Sequence, residues 1–141
     1  MKGGKVFVDT NIIVYAYDPS AGEKHLKAAE VMSGLWESGN GVVSIQVLQE
    51  FFVTATRKMG KPMDAKTAKT IVGDLLKWKT VTPSGETLLD AIDICGKHQC
   101  SFWDAMIISS ALEGGAEKIL TEDFTHGQKI RGLQLENPFR E

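Results

Sequence analysis

The sequence predicts an α/β fold, an α/β/α sandwich around a central, mainly parallel sheet of four to five strands. Three observations carry this. Short apolar runs alternate with longer segments of helical period from one end of the chain to the other. Strands joined through helices pair in parallel, with helices covering both faces of the sheet. The length of 141 residues suits one domain of roughly 100–200 residues, long enough to bury a full core, so residues 1–141 read as a single domain.

Each element has its own signal. Lys5–Val8 is a short apolar strand that ends at Asp9, a favoured helix cap. Glu23 to Glu37 is an amphipathic helix stopped by Ser38, Gly39 and Gly41, and Gly41–Ser44 is the second strand. A helix from Ile45 stops near Gly60 and Pro62, and another follows with Asp64 as its cap. A third strand precedes Pro83, then "ETLLDAIDICGKH" and "FWDAMIISSALEGG" give two helices. "EKILTED" supplies a fourth strand and "LQLENPF" a possible fifth.

Composition narrows the function. Apolar residues make up 43%, charged residues 24%, and the formal net charge is −2. That is an ordinary globular balance, and it argues against a broad basic surface gripping nucleic acid by charge alone. The two cysteines, Cys95 and Cys100, are too few for a disulfide framework. "CGKHQC" offers three candidate zinc ligands at a spacing unlike structural zinc sites. Asp9 interrupts the N-terminal apolar run, so no signal peptide is expected, and no run reaches the ~20 residues that span a bilayer. A soluble, cytoplasmic protein with no membrane association is expected.

Ligands in open parallel sheets bind beyond the carboxyl ends of the strands. Asp9, Ser44, Thr121 and Asp123 should therefore share one edge. Asp9 reads equally as a cap, with Thr10 and Asn11 fixing the direction of its carboxylate. On the helix after Ser44, Ile45, Val47, Leu48, Phe51, Phe52, Ala55 and Met59 fill one arc. Gln46, Gln49, Glu50, Thr54 and Arg57 lie opposite, and Glu50 is placed to reach back to the strand edge. Asp104 is the only charge between Ser101 and Leu112, in a helix apolar on nearly all sides and hence buried. It could complete a capping box with Ser101. Asp123 reads as a turn residue and its neighbour Glu122 as solvated. Gathered together, these four acids would repel one another and raise each other's pKa. A hard divalent cation relieves that most simply, and Mg²⁺ or Mn²⁺ suits carboxylates and hydroxyls better than Zn²⁺.

"VFVDTNIIVYAYD", "VSIQVLQEFF", "SFWDAMIISSAL" and "ILTEDFTHGQ…LENPF" resemble, in order and spacing, the PIN domain family, in particular the VapC-type toxins of toxin–antitoxin modules. The resemblance covers nearly the whole chain. It implies a Mg²⁺- or Mn²⁺-dependent endoribonuclease with Asp9, Glu50, Asp104 and Asp123 as catalytic and metal-binding residues. It implies accessory roles for Asn11 and Thr121, with Thr10 between the matched positions, and for Ser44. It also implies a cognate antitoxin and a homodimer. Some relatives carry a further acid where this chain has Phe124, Thr125 and His126, and His126 could orient water or substrate. Arg57 and Lys58, with Lys61, form a basic strip that could hold RNA, as could Lys77, Lys79 and Arg131. Trp103 could stack on a base, although burial habits favour a core position.

The alternatives are a housekeeping PIN-type RNA-processing nuclease, a phosphatase-like domain, and a non-catalytic RNA- or protein-binding module. The phosphatase reading wants a second acid two residues after Asp9, where Asn11 stands.

Overall fold

The computed structural model describes residues 4–140; the residues at either end of that span, which include the start of the segment expected to lack a signal peptide, lie outside the described residues. Four parallel pairings and one antiparallel pairing build a six-stranded sheet. In chain order the elements are β1 (Lys5–Val8), α1 (Thr10–Ala16), a 3₁₀ turn (Pro19–Ala21), α2 (Glu23–Ser38), β2 (Gly41–Ser44), α3 (Ile45–Arg57) and α4 (Ala65–Leu75). Then follow β3 (Lys79–Val81), α5 (Gly85–His98), α6 (Phe102–Glu113), β4 (Ala116–Leu120), β5 (Lys129–Ile130) and β6 (Leu133–Glu136). The α/β fold class is as the sequence predicts. The sheet has one strand more than expected, because β5 has only two residues and leaves no periodic signal; it pairs antiparallel with β6 at the edge.

The strand order is β3-β2-β1-β4-β6-β5. The chain thus builds outward from β1 through β2 to β3, then returns to the other side of β1 with β4. The switch of direction falls between β1 and β4, where open α/β sheets form a crevice. Phe7 and Val8 of β1 and Ile119 of β4 are fully buried, which places the middle of the core beneath that crevice. α1 packs on α2 and α3, and α3 packs on α4; α5 and α6 pair separately.

Local chemistry sets the boundaries. Asp64 caps α4 as expected, accepting from the backbone N–H of Thr67 at 2.7 Å. Ser84 and Thr87 form a reciprocal capping box on α5. Gly39 ends α2 in the left-handed region at φ 74°, which an L side chain adopts only with strain. α6 is buried from Ala105 to Ala111, as its nearly uncharged sequence requires. Its small residues permit close approach, and the Ser109 hydroxyl donates to the Thr87 carbonyl on α5 at 2.9 Å. On α3, the expected apolar arc is only partly covered: Phe52 is exposed, because it lies in a groove between α3 and α4 rather than against the sheet. No helix among the described residues is long and apolar enough to cross a membrane.

Candidate active site

Sheet register brings the predicted polar residues to one edge. Val8 pairs with Leu120, so Asp9 and Thr121 emerge side by side. Phe7 pairs with Val42, so Ser44 lies level with Asp9 on the other flank. The edge opens into a cleft of about 470 Å³ between α3 and α6, lined by all four acids, Asp9, Glu50, Asp104 and Asp123.

The consecutive residues Asp9, Thr10 and Asn11 fasten three separate segments. Asp9 is 6% exposed. One of its carboxylate oxygens accepts from the Thr10 N–H at 2.7 Å and the other from the Thr121 hydroxyl at 2.8 Å. Capping and site membership therefore coexist. The Thr10 hydroxyl donates to Glu50 Oε1 at 2.9 Å, and Asn11 Nδ2 donates to Asp123 Oδ2 at 3.1 Å. The expectation that Thr10 and Asn11 fix Asp9 holds for the Thr10 backbone N–H, while the Thr10 and Asn11 side chains instead hold two of the other acids, Glu50 and Asp123.

Glu50 rides on α3 at the place the sequence indicates, and its second oxygen accepts from Gln46 Nε2 at 3.4 Å. Ser44 does not enter the cleft. It is fully buried and caps α3, accepting from the Val47 N–H at 3.2 Å, so it sets where that helix starts. Ser101 caps α6 by accepting from the Asp104 N–H at 3.0 Å. Only that half of the expected capping box forms, and the Asp104 carboxylate has no side-chain partner among the described residues.

Several expected roles move. Lys58 lines the cleft and Arg57 does not, because neighbours on a helix point about 100° apart. Residues 46, 50, 54 and 58 recur every fourth position and make one stripe along α3 facing the cleft. That spacing is visible in the sequence and identifies Gln46 and Thr54, which the two-sided division of the helix does not. Trp103 is 64% exposed and lines the cleft, against its expected core position. Glu122 is not simply solvated: it binds Lys24 at 2.7 Å and the Tyr15 hydroxyl. His126 lies outside the cleft, where Nδ1 accepts from the Asn137 N–H at 3.0 Å. Lys77 and Arg131 are paired with Asp74 and Asp90. The Cys95 thiol donates to the Cys100 carbonyl at 3.0 Å, an ordinary helix-end contact.

The electrostatics are those of crowded acids. Burial pushes Asp9 up to about 6, reinforced by the charges of Asp123 and Glu50 and opposed by the hydrogen bonds from Thr121 and Thr10. Asp123 is also raised, by burial and then by the charges of Asp104, Glu122 and Glu50. Lys58 is the only cationic side chain among the described lining residues.

Among the described residues no three Asp, Glu, His or Cys side chains are grouped so that together they could hold a metal ion. The polar part of the lining offers oxygen donors: carboxylates, the Thr10 and Thr54 hydroxyls, and the Asn11 amide. Asn11 Oδ1 is buried with no hydrogen-bond partner, so an acceptor waits beside the acids. Mg²⁺ keeps several of its waters and is held by one or two carboxylates rather than by an all-protein cage. An open, hydroxyl-rich acid cleft with an unsatisfied acceptor for a bound water fits such an ion, and the absence of His and Cys from the lining disfavours Zn²⁺.

The family profile of the PIN domain matches residues 6–128. No curated protein matches the sequence significantly. Among solved structures, a toxin–antitoxin complex from Klebsiella pneumoniae superposes with a TM-score of 0.72 at 15% identity, covering 97% of this chain and 100% of that one. Mycobacterium tuberculosis VapC20, described as a sarcin–ricin loop cleaving toxin, gives a TM-score of 0.62 at 19% identity over 82% of this chain and 87% of that one. VapBC2 from Rickettsia felis, bound to promoter DNA, gives 0.64 at 18% identity over 94% and 97%. At these identities the likeness is one of fold.

Proposed function

The chain belongs to the PIN domain family, and from that premise we propose that it is a divalent-metal-dependent endoribonuclease, the toxin of a VapBC-type toxin–antitoxin module. The observation that carries this reading is the convergence of Asp9, Glu50, Asp104 and Asp123 on one cleft at the carboxyl edge of the sheet. Neighbours described as a toxin–antitoxin complex and as a sarcin–ricin loop cleaving toxin support the biological assignment. On this reading a cognate antitoxin is the partner, RNA is the substrate and the toxin is a homodimer.

One or two of Asp9, Glu50, Asp104 and Asp123 would hold Mg²⁺ or Mn²⁺ directly and the others through water. The bound ion supplies a charge that polarises a phosphate oxygen and lowers the pKa of water. Asp104, whose carboxylate is unengaged, accepts a hydrogen bond from the attacking water and orients it toward phosphorus. Glu50, held by Thr10 and Gln46, is the other carboxylate that can take that role. Asp9 acts as an anion, which above pH ~6 it is. Lys58 neutralises a phosphate of the bound strand. Water attacks phosphorus and the P–O3′ bond breaks, the 3′ oxygen leaving and taking up a proton, so products carry 5′-phosphate and 3′-hydroxyl ends.

The test is incubation of purified protein with RNA and Mg²⁺ or Mn²⁺, with and without chelator, followed by analysis of the ends. Metal-dependent cleavage with 5′-phosphate ends is expected. Cleavage that survives chelation and leaves 2′,3′-cyclic phosphates overturns the reading.

A further inference from the structure

The two walls of the cleft differ in character. The α3 wall is the polar stripe from Gln46 to Lys58. The α6 wall sets Asp104 beside two apolar side chains, Trp103 and, one turn on from it, Ile107. Ile107 is buried, whereas Trp103 is 64% exposed. Trp is seldom so open, because its large ring gains most from burial. Here the Phe102 ring meets Trp103 edge-on, with centroids 5.0 Å apart, and steadies it on the rim. An exposed indole thus stands one residue from Asp104, across the cleft from Lys58.

A single-stranded nucleotide has the same division, a flat apolar base joined to an anionic phosphate. The geometry points to Trp103 as the platform on which one unpaired base stacks while its neighbouring phosphates turn toward the acids and Lys58. This rests on the ribonuclease reading and deepens it. Trp103 is a positioning residue, and the substrate it selects is RNA whose base next to the scissile bond is unpaired. A base held in a duplex already has its faces covered by its neighbours and cannot offer one to Trp103. Stacking of this kind tolerates any base, since every base has a π-face.

The test compares wild type, Trp103→Ala and Trp103→Phe. Binding of a fluorescein-labelled single-stranded RNA is followed by anisotropy with Ca²⁺ in place of Mg²⁺, for the intact RNA and for versions carrying one abasic site at each position in turn. Cleavage of the same RNAs in Mg²⁺ is measured in parallel, and thermal midpoints confirm folding. Trp103→Ala is expected to weaken binding roughly 5- to 150-fold, the range of one aromatic–base stack, with Trp103→Phe between it and wild type. One abasic position should weaken wild type by a similar factor and add nothing in Trp103→Ala, a coupling that a merely structural role does not produce. Equal binding by Trp103→Ala and wild type, or an abasic penalty that persists in the variant, overturns the proposal. So does a variant that binds RNA normally but loses self-association or antitoxin binding, which makes Trp103 a protein contact. RNA binding without Mg²⁺-dependent cleavage in wild type overturns the ribonuclease reading and leaves the stacking site standing. Failure of wild type to bind any RNA overturns both.

Discussion

Thr121 donates its hydroxyl hydrogen to Asp9 Oδ2 at 2.8 Å across 112 positions of sequence. The same hydroxyl oxygen accepts the backbone N–H of Asp123 at 3.1 Å. One side chain therefore fixes two of the four acids, and it does so while almost wholly buried.

Thr121→Val keeps the shape and removes both bonds. The buried Asp9 carboxylate and the Asp123 N–H each lose a partner, so a loss of roughly 1–3 kcal/mol is expected. Urea unfolding in metal-free buffer measures it. The hydrogen bond holds the Asp9 pKa down, so the variant's Asp9 should titrate higher than in wild type.

Asp9 makes stability depend on pH. Its folded pKa of about 6 lies above the ordinary 3.8, so the folded state binds this proton more tightly than the unfolded chain. That contribution is fully present below about pH 3.8 and is lost as pH rises through about 6. At roughly 1.4 kcal/mol per pKa unit, the ionised group costs on the order of 2–3 kcal/mol at about pH 8. Asp9→Asn carries no such charge. It should be inactive, yet more stable than wild type at about pH 8 in chelator, with the gain shrinking toward zero near pH 4. Thermal denaturation across that range checks the trend; a gain independent of pH contradicts it.

Divalent ions should supply what burial withholds. Saturating Mg²⁺ or Mn²⁺ is expected to stabilise wild type by about 2.7 kcal/mol at a hundredfold excess over Kd, read as a rise in its thermal midpoint. The same ions should leave the midpoint of Asp9→Asn nearly unchanged. Equal shifts in the two proteins would mean that the ions bind elsewhere.

Adjacent acids should behave oppositely. Asp123 faces the cleft and is tied to Asn11, whereas Glu122 is tied to Lys24 and Tyr15. Asp123→Asn should depress RNA cleavage by about tenfold or more, a loss of ~1.4 kcal/mol in transition-state stabilisation. Glu122→Gln should leave cleavage within about twofold, below ~0.5 kcal/mol. Rate measurements on the two variants decide it.

Ser44→Ala tests the support beneath Glu50. Loss of the cap on α3 should cost about 0.5–2 kcal/mol. Because Ser44 does not line the cleft, denaturant unfolding should register this change while the cleavage products keep their ends.

Much of the site is legible in the sequence because its signals are local. The apolar run before Asp9 marks a strand end, the uncharged stretch after Asp104 marks a buried helix, and the caps at Ser101 and Asp64 follow from residue type. β5 escapes because two residues carry no period. Trp103 misleads because burial statistics know the residue type and not the helix face on which it lies. Arg57 and Lys58 look interchangeable in a basic run, yet rotation about the α3 axis puts only Lys58 in the cleft.

The sequence alone determined the alternation of strands and helices, the four acids at or near one sheet edge, and the oxygen-donor chemistry of that edge. These depend on period, capping and residue chemistry, all of which act within a few positions. Only the tertiary structure decided that Thr10 holds Glu50, that Asn11 holds Asp123 and that Thr121 holds Asp9. Those pairings depend on the register of β1 against β4 and on the rotation of α1 and α3 as they pack. Register and rotation are set by the burial of the whole core, which no short stretch of sequence contains.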